Sequence, residues 1–495
     1  MSFSTITYAL VNYVECHLEN MNLKKMAESF GFSEIYLREL FYRNVNIPIM
    51  QYYKRRKMIA SAFELLHSDK KVLTIALESG FSNPESYTRA FKKFFGMTPS
   101  RFRLERPLIV RRQLEAGVFS LECLNKRSDD IMLKENKHNT ILYGIRKIEF
   151  GAYGSETAFP ICVKAVSEYL GEDVSYAYIM AATGAAFRLV WNQDEWDLSN
   201  VDIYHALRES NDIYRYGANA LGREFSFLER KEGTSRKEFI DLMKDTIAKG
   251  YPVIALGIIG PPEPCIVAGF ESDGDVVMGW NFFQNDPQFA TAVETMDNGY
   301  FRCGAWWENT DTQAVMCMGE KKQTPYTDKE IVKIALQVME AREENTYAKG
   351  IRAYQAWKDM ILQEKWFENG STYDNMFSKL FVQNDAMTCL HDGRKWAAKY
   401  FEELGNQYED SIKTFCMDIA GSFDKVSAIA GDMKSLIGDW NDAEKMQKNF
   451  ADHSIREKLG ELIDAAEKED RLAYEKMKLF YNSMQDPNTN LDEVK

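Results

Sequence analysis

Arg38 and Arg89 lie about fifty residues apart, each in a stretch with helical periodicity and on the side away from the apolar residues. A guanidinium group can donate two parallel hydrogen bonds to the two acceptors on the major-groove edge of guanine. Three further basic residues suit phosphate groups, and they are Arg43, Lys92 and Lys93. The pattern predicts base-edge contact by the two arginines and phosphate contact by the other three residues.

Two short predicted helices position Arg38. Leu23, Met26 and Ala27 have the i, i+3, i+4 spacing of an amphipathic helix, and Gly31 ends it. Ser33 predicts the start of the next helix, because its hydroxyl can accept from a free amide in the first turn. The inward residues of that helix are Leu37, Leu40 and Phe41, and the outward residues are Ile35, Arg38, Glu39 and Tyr42.

The same arrangement recurs around Arg89. Val72, Ile75 and Ala76 predict a first helix, residues 80–83 a turn, and Pro84 the start of a second helix. Its inward residues are Tyr87, Ala90 and Phe91, and its outward residues are Glu85, Ser86, Arg89, Lys92 and Lys93. A single helix pair of this kind is as often two helices that only pack together as it is a DNA-binding unit. Two such pairs in succession favour DNA binding.

A longer helix, residues 50–66, separates the two units. Its apolar residues are Tyr53, Ile59, Ala60, Phe63 and Leu66, and Lys54 to Lys57 are expected to be exposed. A rigid spacer of this kind can hold two recognition helices about 34 Å apart, one helical turn of DNA, so that a monomer contacts two successive major-groove segments.

Residues 8–104 resemble the DNA-binding domain of the AraC family of bacterial transcription regulators. The resemblance rests on Ala27, Gly31, Ser33, Leu37, Phe41, the Ala76 to Phe81 turn, Phe91-Lys92 and Gly96-x-Thr98-Pro99. It implies promoter DNA as a partner, with activation more common than repression. One departure is Asn46-Ile47-Pro48, which replaces the family's glycine-containing connection and affects the expected spacing of the two half-sites.

The charge distribution supports this assignment. Residues 1–112 hold eighteen basic and ten acidic residues, a balance of +8, although the whole chain has a formal charge of −13. The basic excess is confined to the part with the motif, where phosphates would be neutralised. The acidic remainder is not expected to touch DNA.

Length and composition limit the remaining possibilities. A chain of 495 residues with 45% hydrophobic residues is long enough for about three domains. No apolar run reaches the roughly 18 residues needed to cross a bilayer and no signal peptide is evident, so a cytoplasmic protein is expected. The eight cysteines show no C-x-x-C pair or Cys/His cluster, which predicts neither disulfides nor a metal site, and no cofactor is expected.

The fold class predicted is multidomain: an all-α tandem helix-turn-helix domain, an α+β domain and an all-α helical bundle. The boundaries are 1–106, a linker at 107–140, 141–324 and 325–495. In the third segment, helices at 161–170 and 236–249 accompany apolar strands at 252–259, 265–270, 276–280 and 314–318, which favours a largely antiparallel sheet. The bundle is predicted to comprise helices at 328–362, 372–381, 392–404, 409–436 and 443–483.

Most of residues 145–480 resembles the family of butirosin biosynthesis protein H, which has a papain-like acyltransferase fold followed by a helical segment. The residues that carry the resemblance are Glu168 to Gly171, Gly184 to Phe187, Gly250 to Val253, Gly269-Phe270, Gly350 to Trp357, Asp392 to Arg394 and Ala397-Ala398. Catalysis on such a fold requires a thiolate, an imidazole base and a group that orients the ring. Here the expected cysteine position is Ala158, the histidine position falls near Glu263 or Pro264, and no histidine lies between 206 and 390.

The middle segment is therefore interpreted as a pseudoenzyme whose cleft binds a ligand. Aromatic faces with an acidic neighbour suit a cationic or aromatic small molecule, although any one tryptophan is more often core packing. The candidate residues are Arg188, Trp191, Trp196, Glu263, Trp280, Asn281 and Trp306.

The sequence thus predicts a one-component, non-enzymatic transcription regulator that binds promoter DNA at its N-terminal end and a small-molecule effector in its C-terminal region. RNA polymerase and a second copy of the chain are possible partners, and no membrane is expected. One alternative is a cysteine-dependent acyltransferase or hydrolase with a DNA-binding appendage and Cys162 as nucleophile. Another is a regulator whose C-terminal region binds a protein partner or forms oligomers.

Overall fold

The computed structural model describes residues 10, 13–14, 17–18, 21–45, 48–67, 70–81, 83–95, 98–105, 140–142, 144–197, 212–290, 293–296, 298–367 and 373–484. The chain divides into two compact units. Unit 1 comprises Met1–Lys147, Ala165–Asp173 and Leu228–Val315, and unit 2 comprises Ile148–Lys164, Val174–Phe227 and Met316–Lys495. Neither unit is one continuous segment, and residues 106–139, almost all of the predicted linker, lie outside the described part.

The described residues of the N-terminal part of unit 1 include six helices with defined bounds. They are α1 Leu23–Ser29, α2 Glu34–Val45, α3 Ile49–His67, α4 Val72–Glu78, α5 Pro84–Phe95 and α6 Pro99–Glu105. Side-chain caps fix three of the starts: Asn22 Oδ1 accepts from the Lys25 amide at 3.0 Å, Ser33 Oγ from Tyr36 at 3.2 Å, and Asn83 Oδ1 from Ser86 at 2.8 Å. The predicted cap at Ser33 is confirmed.

Gly31 and Gly80 make the turns of the two helix-turn-helix units. Their φ angles are +67° and +80°, a left-handed conformation that costs a residue with a Cβ atom about 1 kcal/mol or more. The two predicted turns are confirmed, and the second helix of each unit follows within a few residues.

Two hydrophobic clusters hold these helices, and α3 contributes to both. In the first, the rings of Phe41 and Tyr52 meet edge to face at 5.4 Å, and in the second Phe91 and Phe102 do so at 5.2 Å. The predicted inward residues of α2 are buried, as are Tyr87 and Phe91 of α5. The buried residues of α3 are Ile49, Tyr52, Met58, Ser61, Ala62 and Leu65.

The predicted apolar face of α3 is wrong by about one residue. Tyr53 and Ile59 are half-buried and Ala60 is exposed. Tyr53 lies at the edge of the cluster, where its hydroxyl donates to the Leu18 carbonyl at 3.1 Å. The side chains of Phe63 and Leu66 lie outside the described part.

The rest of unit 1 is built on an antiparallel sheet. Its strands are β1 Thr140–Ile141, β4 Val253–Leu256, β5 Pro264–Glu271, β6 Val276–Trp280, β7 Val293–Thr295 and β8 Phe301–Cys303. The order is β4-β5-β6-β8-β7, with β1 paired to β5. Every residue of β4 and β5 is buried, and helix α10 Arg236–Ala248 packs against both strands. The predicted antiparallel sheet is confirmed, although its three short strands were missed.

Unit 2 is mainly helical. Its helices are α7 Ala158–Tyr169, which continues into unit 1, α8 Tyr176–Ala182, α9 Asp212–Ala220, α11 Asp328–Met339, α12 Arg352–Leu362, α13 Tyr373–Gly405, α14 Asp410–Ile437, α15 Ala443–Ala451 and α16 His453–Ser483. A small sheet has the order β10 Arg342–Glu344, β11 Tyr347–Lys349, β2 Val190–Asn192. Strands β3 Arg223–Glu229 and β9 Ala314–Lys321 pair with each other, and the division between the units crosses both.

Four of the five predicted bundle helices differ from the structure. One of them, 443–483, is two helices, α15 and α16, which are separated at Asp452. The predicted helix 328–362 is interrupted by the β10–β11 hairpin, which turns at Asn345 with a φ of +55°. The two predicted helices at 372–381 and 392–404 are the single helix α13, because no Gly or Pro lies between them to end it.

Candidate nucleic-acid interface and effector surface

The outer face of α2 is largely apolar. Ile35 is 72% exposed, Tyr42 52% and Tyr36 50%, and Glu39 is also exposed. These residues share one side of the helix because residues three and four apart are neighbours. Tyr36 was not among the predicted contact residues, although it follows Ile35 directly.

Arg38 lies on the same outer face with a half-exposed side chain. Its guanidinium Nη2 is 3.8 Å from Glu34 Oε2, one turn earlier. An exposed pair of this kind stabilises the helix by only a few tenths of a kcal/mol, so Arg38 can leave it for a base edge. Together with Glu39, the pair leaves this face of α2 without a net positive charge.

The outer face of α5 has a different character. Arg89, Lys92 and Lys93 are exposed, and within the described part of the chain no carboxylate lies within 4.0 Å of their charged nitrogens. Glu85, also exposed, is the one acidic residue among the five predicted contacts of this helix. The face therefore has a net positive charge that is available to phosphate groups.

Two other predicted contact residues have special positions. Ser86 is half-buried, and its hydroxyl donates to the Asn83 carbonyl at 2.9 Å, so it belongs to the helix cap. Arg43 belongs to α2, but its side chain is outside the described part. Asn46 and Ile47, where the sequence departs from the family pattern, are also outside the described part. Contact of any of the nine residues with DNA stays a prediction.

Four of the predicted effector-binding residues lie in unit 1. The indole Nε1 of Trp280 donates to the Ile145 carbonyl at 2.8 Å, and that of Trp306 to the Gly274 carbonyl at 3.2 Å. Asn281 Oδ1 accepts from the Phe283 amide at 2.7 Å, which stabilises the turn after β6. Glu263 is half-buried in the turn before β5. The three buried residues use their polar atoms within the fold, which weighs against their role in ligand binding.

The other three predicted effector-binding residues lie in unit 2. Trp191 is fully buried and stacks on Trp357 with 5.5 Å between ring centroids. Trp196 packs edge to face against Trp191 at 5.7 Å. Arg188 donates to the Ala185 carbonyl at 2.9 Å and to Cys389 Sγ at 3.1 Å. Burial raises the pKa of the Cys389 thiol to about 11, so this thiol is neutral near pH 7. The seven residues are thus divided between the units, and their joint role stays a prediction.

The start of α7 is closed by hydrogen bonds at the position where the papain-like resemblance implies a cysteine. Asp392 Oδ2 accepts from Ser155 Oγ at 2.6 Å and from Thr157 Oγ1 at 2.8 Å, immediately before Ala158. Cys162, one turn further, is fully buried. A nucleophilic thiol needs access to substrate and a base, so the position of Cys162 does not favour the enzyme alternative.

An exposed aromatic patch that the sequence reasoning missed lies on unit 2. Phe377 and Phe381, one turn apart on α13, and Trp440, before α15, are 39%, 40% and 38% exposed. Trp440 is 5.6 Å from Phe377 and 6.0 Å from Phe381 between ring centroids. We call these three residues the aromatic patch. Exposed large apolar side chains that cluster in this way often mark an interaction site.

Carboxylates adjoin the aromatic patch along the chain. Asp439 and Asp442 flank Trp440 and are exposed, each accepting a backbone hydrogen bond in the turn. Asp385 is one turn beyond Phe381 on α13, and burial raises the pKa of its carboxyl to about 6, so it is mostly charged at neutral pH. Aromatic rings beside carboxylates suit an organic cation.

Comparison with known proteins concerns the N-terminal helices. Residues 26–105 match the family described as a helix-turn-helix domain. An uncharacterised HTH-type transcriptional regulator of Staphylococcus aureus strain MSSA476 is 30% identical over 106 residues, which are 21% of this chain and 14% of that protein. The putative HTH-type transcriptional regulator YkgA of Escherichia coli K12 is 30% identical over 99 residues, 20% of this chain and 41% of that protein.

Two solved structures are also similar to this part. The C-terminal domain of the two-component response regulator yesN from Fusobacterium nucleatum is 26% identical and covers 19% of this chain and 95% of its own, with a TM-score of 0.18. The C-terminal domain of AraT, a response regulator from Geobacillus stearothermophilus, is 24% identical. The match covers 21% of this chain and 89% of that domain, with a TM-score of 0.20. The matches of the chain to the curated relatives span less than half of those proteins' length. The N-terminal helices form an AraC-type helix-turn-helix domain. In the described part of the chain, no helix is long and apolar enough to span a bilayer.

Proposed function

We propose that the protein is a bacterial transcription regulator that binds promoter DNA through α2 and α5 in the cytoplasm. The observation that carries the proposal is the exposed face of α5, where three basic side chains have no carboxylate partner in the described structure. It belongs to a domain that matches transcriptional regulators in sequence. RNA polymerase and a second copy of the chain are further proposed partners.

The direct test is selection of DNA from a random double-stranded library by the full chain, followed by affinity measurements at several salt concentrations. We expect enrichment of one motif whose two parts are about one helical turn apart, bound roughly a thousandfold or more tighter than random DNA. Affinity should fall steeply with salt, because each neutralised phosphate releases counterions. Failure to enrich any sequence, with the full chain folded, would overturn the proposal.

We also propose that unit 2 binds a small organic cation as effector. Its support is the aromatic patch and the carboxylates that adjoin it, rather than the cleft predicted from the sequence. A cation over exposed aromatic faces gains about 0.5–1 kcal/mol from each ring, and more when it loses water. Asp439 and Asp442, which lie within two residues of Trp440 along the chain, add electrostatic attraction for a cation that stacks on the rings.

Trp440→Ala is expected to weaken the binding of rhodamine 6G to the full chain by about two- to fivefold, as measured by the fluorescence anisotropy of the dye. Phe94→Ala is the matched control, because Phe94 is a similarly exposed aromatic residue, 36%, on α5. Unchanged dye affinity in the Trp440 variant would place any effector elsewhere. Dye binding by neither wild type nor variant would favour a protein partner or an oligomerisation role for unit 2.

A further inference from the structure

Ile35 has the most exposed side chain among the large hydrophobic residues of the described structure. It is 72% exposed, whereas the next, Leu77, is 53% exposed. Single exposed apolar residues are common, so exposure alone does not indicate function. The position of Ile35 does, because it is the second residue of α2 and lies one turn before Arg38 and Glu39 on the same outer face.

The N-terminal part of a recognition helix contacts base edges in the major groove. The side chain of Ile35 has no donor or acceptor, so its favourable contact there is apolar. The major groove offers one such group, the C5 methyl of thymine. Contact with that methyl would remove apolar surface of both partners from water.

The two recognition helices therefore present different chemistry to a duplex. On α2, Ile35 and Tyr42 offer apolar surface beside an arginine that is paired with Glu34. On α5, Arg89 and its basic neighbours offer hydrogen-bond donors and positive charge. The apolar side chains of α2 therefore add a preference for thymine that the basic face of α5 does not have.

We propose that Ile35 is a specificity-determining residue that contacts a thymine methyl, so that the half-site bound by α2 is selected by methyl contact and the half-site bound by α5 by hydrogen bonds to guanine. The proposal rests on the proposed DNA-binding function. It predicts an operator with two chemically different halves, bound in one orientation.

The experiment uses the DNA sequence selected by the full chain. The half-site of α5 is identified as the half whose sequence preference is lost in Arg89→Ala, and the other half is assigned to α2. Each thymine of that half is then replaced by deoxyuridine, which lacks only the C5 methyl. Replacement of the thymine that Ile35 contacts should raise the Kd of the wild-type chain about three- to sixfold, because one methyl group is removed from an apolar contact.

The Ile35→Ala chain should bind the thymine and deoxyuridine duplexes with equal Kd. Leu73→Ala removes another exposed aliphatic side chain, 49% exposed on α4, and should retain the wild-type response to deoxyuridine. The inference is overturned by an α2 half-site without thymine, by deoxyuridine that has no effect on the wild type, or by an effect that persists in Ile35→Ala. Failure of the wild-type chain to select any DNA would instead overturn the DNA-binding function itself.

Discussion

Asp470→Asn is expected to lower the free energy of unfolding of unit 2 by about 3–5 kcal/mol, the largest effect of any single substitution discussed for this protein. Asp470 on α16 and Arg394 on α13 are each 1% exposed. Arg394 Nη2 donates to Asp470 Oδ2 at 2.7 Å, and Nε donates to Oδ1 at 2.9 Å. An amide at position 470 is similar in shape but carries no charge, so the guanidinium would remain buried without its counter-ion.

Further hydrogen bonds make the pair part of a network. The Tyr354 hydroxyl on α12 donates to Asp470 Oδ2 at 2.7 Å, and Arg394 Nη1 donates to the Ala186 carbonyl at 2.9 Å. Loss of the Asp470 charge therefore disturbs contacts of α12, α13 and the turn at Ala185–Phe187. The measurement is urea unfolding followed by far-UV circular dichroism, with the transition midpoints compared because a chain of two units need not unfold in one step.

Asp464→Asn is the matched control for this substitution. Asp464 is also on α16 and pairs with Lys358 of α12 at 2.5 Å, but it is half-exposed. Exposed pairs contribute about 0–1 kcal/mol, so this change should shift the midpoint little. If both variants unfold at the same urea concentration, the buried pair does not stabilise unit 2 as proposed.

The same network gives structural roles to residues that carry the resemblance to butirosin biosynthesis protein H. Gly393 packs closely against the Ala186 carbonyl oxygen, which would be only 3.0 Å from a Cβ atom at position 393. Gly184, with a φ of +80°, begins the turn that presents this carbonyl. Asp392 accepts hydrogen bonds from Ser155 and Thr157, just before α7, and Arg394 pairs with Asp470. These residues have packing roles without any catalytic step, and the papain-like assignment stays a prediction.

The N-terminal domain was predictable from the sequence because local signals fix it. Ser33 can cap only the helix that follows it, Gly31 and Gly80 provide left-handed turns, and helical periodicity then decides which side of α2 and α5 faces outward. The outward positions of Ile35, Arg38 and Arg89 could be predicted from that periodicity alone. The burial of Ser86 was not predictable, because it depends on the hydroxyl bonding to the Asn83 carbonyl.

Features that depend on contacts between distant segments were not predictable. Trp440 joins Phe377 and Phe381 from about sixty residues away along the chain, so no local pattern indicates the aromatic patch. Trp191 and Trp306 are of a residue type that is common in ligand-binding sites, but tertiary packing buries both side chains. The hairpin at 342–349 is rich in charged residues and lacks the alternation of apolar and polar residues that indicates strands. The sequence therefore predicts that the flanking helix continues through it.

Arg89→Ala is expected to reduce discrimination by the full chain between its selected DNA and random DNA by about 1–3 kcal/mol, the contribution of one bidentate contact with guanine. Lys92→Ala should weaken binding to all sequences alike and reduce the slope of log K against log salt by about 0.9, because one phosphate contact is lost. The reason for the difference is chemical. A planar guanidinium fits the two acceptors of guanine, whereas an ammonium group on a flexible stem acts on phosphate as a point charge.

Arg89→Lys separates shape from charge at the same position. It keeps the positive charge but replaces the planar fork by a point charge, so it should retain the wild-type salt dependence and discriminate guanine from the other bases less well than Arg89 does. Affinities for the selected duplex, a duplex with the proposed guanine replaced and a random duplex, each at four salt concentrations, supply both quantities. An equal loss of specificity in the Arg89 and Lys92 alanine variants would refute this division of roles, since it would mean that α5 does not distinguish base contact from phosphate contact at these two residues.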